Sequence, residues 1–188
     1  NVLINKSNLP LFMFPEIKPF LKVNELRKIT KKIKEYEPNA LDNFEEKRLK
    51  GENESYICSL IRDDSVIEFI SYVSKSNLSL NTKIKRSIFE TNPFIRKYEE
   101  VSLIEYASFY GSIQIFQYLI MNKVEFTPSL WLFAIHGKNA DIIHCLEEHH
   151  IQPKDNTFKE CLIEAIKCHH NDIAYYIQEN LLNDKNMD

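Results

Sequence analysis

Residues 102–119 read SLIEYASFYGSIQIFQYL, and residues 127–146 read TPSLWLFAIHGKNADIIHCL. Superposing them on Ala107 and Ala134 brings a third stretch, EAIKCHHNDIAYYI around Ala165, into the same frame. Seven positions after each alanine stand Gln114, Asp141 and Asp172; eight after stand Ile115, Ile142 and Ile173; twelve after stand Leu119, Leu146 and Ile177. A weaker copy, IRDDSVIEFISYV, runs from Ile61 to Val73. Self-similarity of this kind marks a repeat architecture. The brick it describes is a pair of helices. A small residue on the first helix lets the second cross closely, and a break four residues on, at Gly111, Lys138 or His169, turns the chain. The acidic or amide residue then falls in the first turn of the second helix, near its positive end. The isoleucine and the apolar residue four later share a face. One such pair cannot bury that face alone, whereas stacked copies can.

Outward from the repeat, apolar spacing predicts helices at about 55–62, 65–75, 83–90, 102–110, 112–122, 129–137, 139–149, 157–168 and 171–181. No segment keeps up period-two alternation, so little or no sheet is expected. Upstream, Leu26, Ile29, Ile33 and Tyr36 form the stripe of an amphipathic helix over about 23–36, which Pro38 ends. Its other face carries Lys22, Arg27, Lys28, Lys31, Lys32 and Lys34, read as a solvated surface; as a ligand face it would suit an acidic protein. Residues 1–21 hold Pro10, Pro15 and Pro19, which points to an extended arm packing Leu11, Phe12, Phe14 and Phe20 against something. The polar stretch 38–54 reads as a linker. The expected organisation is therefore arm, basic helix and linker over 1–53, followed by a repeat domain over 54–188 with copies near 55–75, 102–122, 129–149 and 157–181. The fold class is all-α, a helical repeat solenoid of stacked helix-turn-helix pairs with an irregular N-terminal arm and helix.

The repeat segments resemble the ankyrin motif, roughly TPLHxAAxxGHxEVVxxLL, with Ser102–Leu119 the better match and Thr127–Leu146 the next. Together with GENESYICSLIRDDSVIEFISYV and SIFETNPF, their wording is similar to that of the large ankyrin-repeat family of trichomonad-type protists, in which a domain of unknown function precedes the repeats. The resemblance covers about 38–182 and implies an ankyrin-like stack that binds other proteins. The copies depart from the family period of about 33 residues: the alanines are 27 and 31 apart, and the first copy lies 46 before the second. Clipped hairpin fingers in the later copies, and an inserted helix near 83–90 after the first, would account for this.

Composition narrows the functions. The chain has 188 residues, a net charge of −3 and a pI near 6.1, which argues against nucleic acid as the main ligand. Residues 1–53 carry 11 Lys and Arg against 8 Asp and Glu, and the remainder 13 against 19, so the repeat half is acidic. No apolar run approaches the roughly 18 residues of a membrane span, and no secretory leader opens the chain. The start at Asn1 suggests a piece of a longer protein. Four cysteines without a CxxC pair fit a reducing, cytoplasmic setting. With Gly only at 51, 111 and 137, no phosphate-cradling or nucleophile-elbow loop can be present.

Three constellations invite chemistry. Cys145, His149, His150, Cys161, Cys168 and His169 could in part ligate zinc, but their spacing matches no known zinc pattern, and packing is the preferred reading. A Cys nucleophile has no residue to orient a base beside it, and the paired carboxylates Asp63–Asp64, Glu99–Glu100 and Glu147–Glu148 read as surface charge. The aromatics Tyr106, Phe109, Tyr110 and Phe133 gather on the first helices of adjacent copies. With His136 and Lys167 they are the expected partner-binding residues of a concave groove. Trp131 falls at a core position. The expected function is a non-enzymatic protein–protein interaction scaffold, cytoplasmic and without cofactor or metal. The alternative is a structural subunit of a large cytoskeletal or axonemal assembly, with the arm lying on a neighbour. A cryptic enzyme or zinc site at the His/Cys cluster ranks third.

Overall fold

The structure is a computed structural model, and it describes residues 9–36 and 38–182. These are mostly helical. They divide into two compact units: the residues up to Ser55 with Lys85–Val101, and Tyr56–Ile84 with the residues from Ser102 on. The chain leaves the second unit along β1 (Lys83–Lys85) and returns along β2 (Glu100–Ser102), which pair into a two-stranded sheet.

The first unit opens with α1 (Leu9–Phe12), α2 (Phe14–Ile17) and a 3-10 turn at Lys18–Phe20. The expected extended arm is thus a run of short helical turns over its described part; residues 1–8 lie outside the described residues. Pro15 and Pro19 each sit at the second position of their turn, within the first turn where a missing N–H costs nothing. Then come α3 (Val23–Tyr36) and α4 (Phe44–Lys50). The expected linker 38–54 therefore holds a helix, and its Ala40 and Phe44 enter the core with Leu11, Phe14, Ile33, Ile88 and Phe89. Phe44 is the hub, with ring centroids 6.1 Å from Phe14 and 4.9 Å from Phe89. Leu26 and Ile29 of the α3 stripe pack against this cluster. Arg48 ties α4 to α2 by pairing with Glu16, and its guanidinium lies over Phe12. At the end of α4 the Gly51 carbonyl accepts from both the N–H and the Oγ1 of Thr91, at 2.9 and 2.8 Å, which fastens the 85–101 segment to the unit. That segment is no helix over 83–90. Lys83–Ile84–Lys85 is strand, with only Ile84 buried, and Ile88 and Phe89 continue irregularly into the core. Three residues of alternation are too few to register as a strand signal.

The second unit consists of four helix pairs: α5 (Tyr56–Arg62) with α6 (Val66–Ser76), α7 (Leu103–Tyr110) with α8 (Ile113–Met121), α9 (Leu130–Gly137) with α10 (Ala140–Glu148), and α11 (Lys159–Lys167) with α12 (Asn171–Tyr176). The last runs on as a π-helical turn, Ile177–Leu182. First helices touch first helices in the series α5, α7, α9, α11, and among second helices α8 touches both α6 and α10. Ala107, Ala134 and Ala165 are wholly buried, as are Ile115, Ile142, Leu119, Leu146 and Ile177. Each first helix ends at a residue of left-handed backbone: Asp64, Gly111, Lys138 and His169 have φ of 48, 69, 52 and 57°. The next residue then bonds back to the residue five before it, Ser65 to Leu60, Ser112 to Ala107 and His170 to Ala165. At this turn the first pair is offset by one residue, matching Leu60 to Ala107, whereas its second helix keeps the expected Ile61 frame, with Phe69 and Val73 buried where Ile115 and Leu119 stand. Second helices end the same way at Asn77, Lys123 and His150, with Leu78, Val124 and Ile151 closing the turn. No strand follows α8 or α10; irregular loops lead directly to α9 and α11.

Candidate functional site

The residues that open α8, α10 and α12 also grip the preceding helix pair. Ser112 Oγ donates to the Ile61 carbonyl at 2.5 Å, Asn139 Nδ2 to that of Gly111 at 3.0 Å, and His170 Nδ1 bonds that of Ile135 at 2.8 Å. The Asp64 carboxylate accepts from the N–H groups of Gln114 and Ile115, both at 3.0 Å, and so caps the second helix of the following copy. Adjacent first helices come very close at the same level. A Cβ on Gly137 would lie 2.0 Å from the Ser108 carbonyl oxygen, and one on Gly111 2.8 Å from that of Gly137. Ser108 lies wholly buried at this crossing.

This close approach brings the last turns of α5, α7, α9 and α11 into one row. Arg62 Nη1 donates to Tyr106 Oη at 3.0 Å, and its guanidinium lies 6.0 Å from the Tyr110 ring centroid. Tyr110 meets Tyr106 at 4.8 Å and Phe109 at 5.0 Å between centroids. Phe109 stacks on the His136 imidazole at 5.2 Å and 27°, and stands edge-on to Phe133 at 6.5 Å. His136 Nε2 lies 3.1 Å from Glu164 Oε1, and Lys167 Nζ donates to Glu164 Oε2 at 3.2 Å. Cys168 Sγ sits 3.5 Å from His136 Nδ1 and 3.7 Å from Nε2.

All six residues expected from the sequence therefore lie in or under this row, in two layers. Tyr106, Phe109 and Phe133 are buried, at 1, 9 and 0% exposure, and this corrects their expected place as groove anchors. They are the apolar floor, because a first helix packed between two neighbours must bury nearly its whole circumference. Tyr110 and His136 are half-buried and Lys167 exposed, so these form the accessible layer. Burial raises the Tyr106 hydroxyl far above the ordinary range, so it stays protonated and accepts from Arg62. Arg62, Glu164 and Cys168 complete the row and were not among the expected partner-binding residues. Of these the sequence singles out only Cys168, as a possible metal ligand; no signal in a single sequence pairs Glu164 with His136, 28 positions earlier.

The expected His/Cys set does not come together as one cluster. Cys161 is wholly buried, and desolvation pushes its thiol up to about 12. Cys145 Sγ lies 3.6 Å from His149 Nδ1 on α10, a pair belonging to no larger group of ligand-type residues among those described. Trp131 is buried at 1% exposure, and its Nε1 donates to the Ile151 carbonyl at 2.6 Å. Glu105 is an internal brace. Burial is the largest influence and pushes its pKa up, but hydrogen bonds from Ser129, the Ser102 N–H, Thr127 and the Ser102 hydroxyl together outweigh that and hold it below the usual glutamate range. Among the described residues no helix is long and apolar enough to cross a membrane. Comparison of the chain with protein-family models, with curated proteins and with solved structures finds no match.

Proposed function

We propose that the second unit is an ankyrin-type repeat stack and that the chain is a protein–protein interaction scaffold without catalytic activity. The observation that carries this reading is the serial contact of the four first helices, each bonded to the next at its turn and together presenting Arg62, Tyr110, His136 and Lys167 in one row. Tyr and Arg over an ordered apolar floor are what partner-binding surfaces concentrate. Arg62 and Lys167 flanking the row favour a protein segment with acidic or carbonyl-rich groups. The arm, whose Leu11 and Phe14 are spent on the core of its own unit, gives less support to a structural subunit that drapes over a neighbour.

In-cell crosslinking read by mass spectrometry tests the proposal. Partner crosslinks are expected at Lys167, which stands in the row, and the double variant Arg62→Ala/Tyr110→Ala should lose them while keeping its helical circular dichroism. Crosslinks that map elsewhere, or that survive the double variant, would overturn it.

A further inference from the structure

We propose that His136, Glu164 and Cys168 form a binding site for one divalent transition-metal ion, with zinc favoured by the chemistry of the donors. Zinc accepts imidazole nitrogen, carboxylate oxygen and thiolate sulfur in tetrahedral sites, with bonds of about 2.0–2.1 Å to N and O and about 2.3 Å to S. Those lengths put neighbouring N and O donors about 3.3 Å apart, and N and S donors about 3.6 Å apart. Here Nε2 and Oε1 are 3.1 Å apart, Nε2 and Sγ are 3.7 Å apart, and all three donors lie within 4.8 Å of one another. Two of these separations are those of the edges of a coordination tetrahedron; Oε1 and Sγ stand within 4.8 Å, and Sγ lies 3.5 Å from Nδ1, so the imidazole has to turn for Nε2 to point at a shared ion.

The surroundings hold each donor in place. Glu164 and Cys168 stand four apart, on α11 and at its C-cap, so both project to the same side. His136 comes from the last turn of α9, with its ring stacked on Phe109. The Lys167 ammonium takes the second carboxylate oxygen, Oε2, and leaves Oε1 turned toward the imidazole. Packing and outer hydrogen bonds that fix a ligand's orientation are a regular part of metal sites. Charge also balances. Binding releases the Cys168 thiol proton to solvent, and one thiolate, one carboxylate and one neutral imidazole cancel the two charges of the ion. Glu164 is nearly buried, with its side chain 10% exposed, while those of His136 and Lys167 reach the surface at 17% and 62%, so an ion can enter from solvent. Three protein donors leave a fourth position for water or for a donor from a docked partner.

The full chain, kept reduced, is titrated with cobalt(II), a spectroscopic stand-in for zinc, and then with zinc. The expected result is one ion per chain, a thiolate-to-cobalt charge-transfer absorption, and its loss when zinc displaces cobalt. Cys168→Ser should abolish the band, and His136→Gln and Glu164→Gln should each weaken cobalt binding by about tenfold or more. Cys145→Ser should leave it intact. Absence of the band in the wild type, its persistence in Cys168→Ser, or its loss in Cys145→Ser would overturn the proposal in favour of a hydrogen-bonded triad only. A second measurement does not depend on variants folding: zinc should slow iodoacetamide labelling of Cys168 by about tenfold or more and leave Cys145 unaffected. Equal labelling of Cys168 with and without zinc would equally overturn it.

Discussion

Gly137→Ala probes the close approach of α7 and α9 in the second unit, because two effects oppose each other there and the structure says which wins. Gly137 ends α9 with ordinary helical backbone, and in a helix Ala is better than Gly by about 0.8–1 kcal/mol. On propensity alone the variant would be more stable. A Cβ at this position, however, falls 2.0 Å from the Ser108 carbonyl oxygen, 3.2 Å from its carbon and 2.9 Å from the Gly111 nitrogen. Carbon and oxygen in comfortable contact stand about 3.3–3.6 Å apart, so α9 would have to retreat by more than an ångström. The obstacle is backbone, and no side chain can swing aside. Retreat also strains the Asn139–Gly111 bond and the Phe109–Phe133 contact that lie at the same crossing. Overpacking of cores costs about 1–3 kcal/mol. An overlap this deep belongs at the top of that range, and subtracting the propensity gain leaves a net loss of about 2 kcal/mol. With a urea dependence of about 1–3 kcal/mol per molar, the midpoint should fall by about 1 M. Equilibrium urea unfolding, followed by far-ultraviolet circular dichroism and by the fluorescence of the single Trp131, measures it. A variant as stable as the wild type, or more so, would mean that α7 and α9 do not cross this closely, and the stacked arrangement would have to be redrawn.

Three further outcomes are expected. Asn139→Ala removes the cap from the Asp141 and Ile142 N–H groups and the donor to Gly111, and should cost about 1–2 kcal/mol; hydrogen exchange at the first turn of α10 should speed up more than at α8. His169→Gly relieves a non-glycine residue at a φ of 57° and should raise stability by about 0.5–1 kcal/mol, read as a higher urea midpoint. Glu105→Gln should be less stable than the wild type at pH 7. Because the folded carboxyl is held below its unfolded value of about 4.3, its contribution is complete above that pH and fades as pH falls through the folded value. Paired urea titrations at pH 7 and pH 3 should therefore find the gap between the two proteins narrowing; a gap of constant width would refute the assignment.

The eight α-helices of the second unit are legible in the sequence because each is short, amphipathic and bounded by a break, and Ile115, Leu119, Ile142 and Leu146 fall at the buried positions their spacing predicts. The breaks themselves were harder to read. Glycine usually marks left-handed turns, yet this chain fills most of them with Asp64, Asn77, Lys123, Lys138, His150 and His169. That is why the turn between α5 and α6, one residue out of step with the others, has no signal in the sequence. The helix expected at 83–90 fails for another reason. Ile88 and Phe89 are apolar at helix-like density, but their partners Leu11, Phe14 and Phe44 are more than forty positions away, and no local pattern reports such a contact. The same limit hid half of the candidate site. Tyr106, Phe109 and Phe133 announced themselves as aromatic, but whether an aromatic lies in the floor or on the surface depends on the neighbouring helix, and Glu164 acquires meaning only once α11 is laid beside α9.

The return of residues 85–101 to the first unit carries a consequence for biosynthesis. A ribosome that has delivered Leu11, Phe14, Ile33 and Phe44 has issued a nucleus still missing Ile88 and Phe89, and about forty intervening residues, including all of α5 and α6, must emerge before it can close. The first unit is therefore complete only when Val101 has been made, after α5 and α6 of the second unit have already emerged. A truncation after residue 54 would strand the first without its last two core side chains, and a nascent chain paused there would expose an aromatic cluster for chaperones to shield.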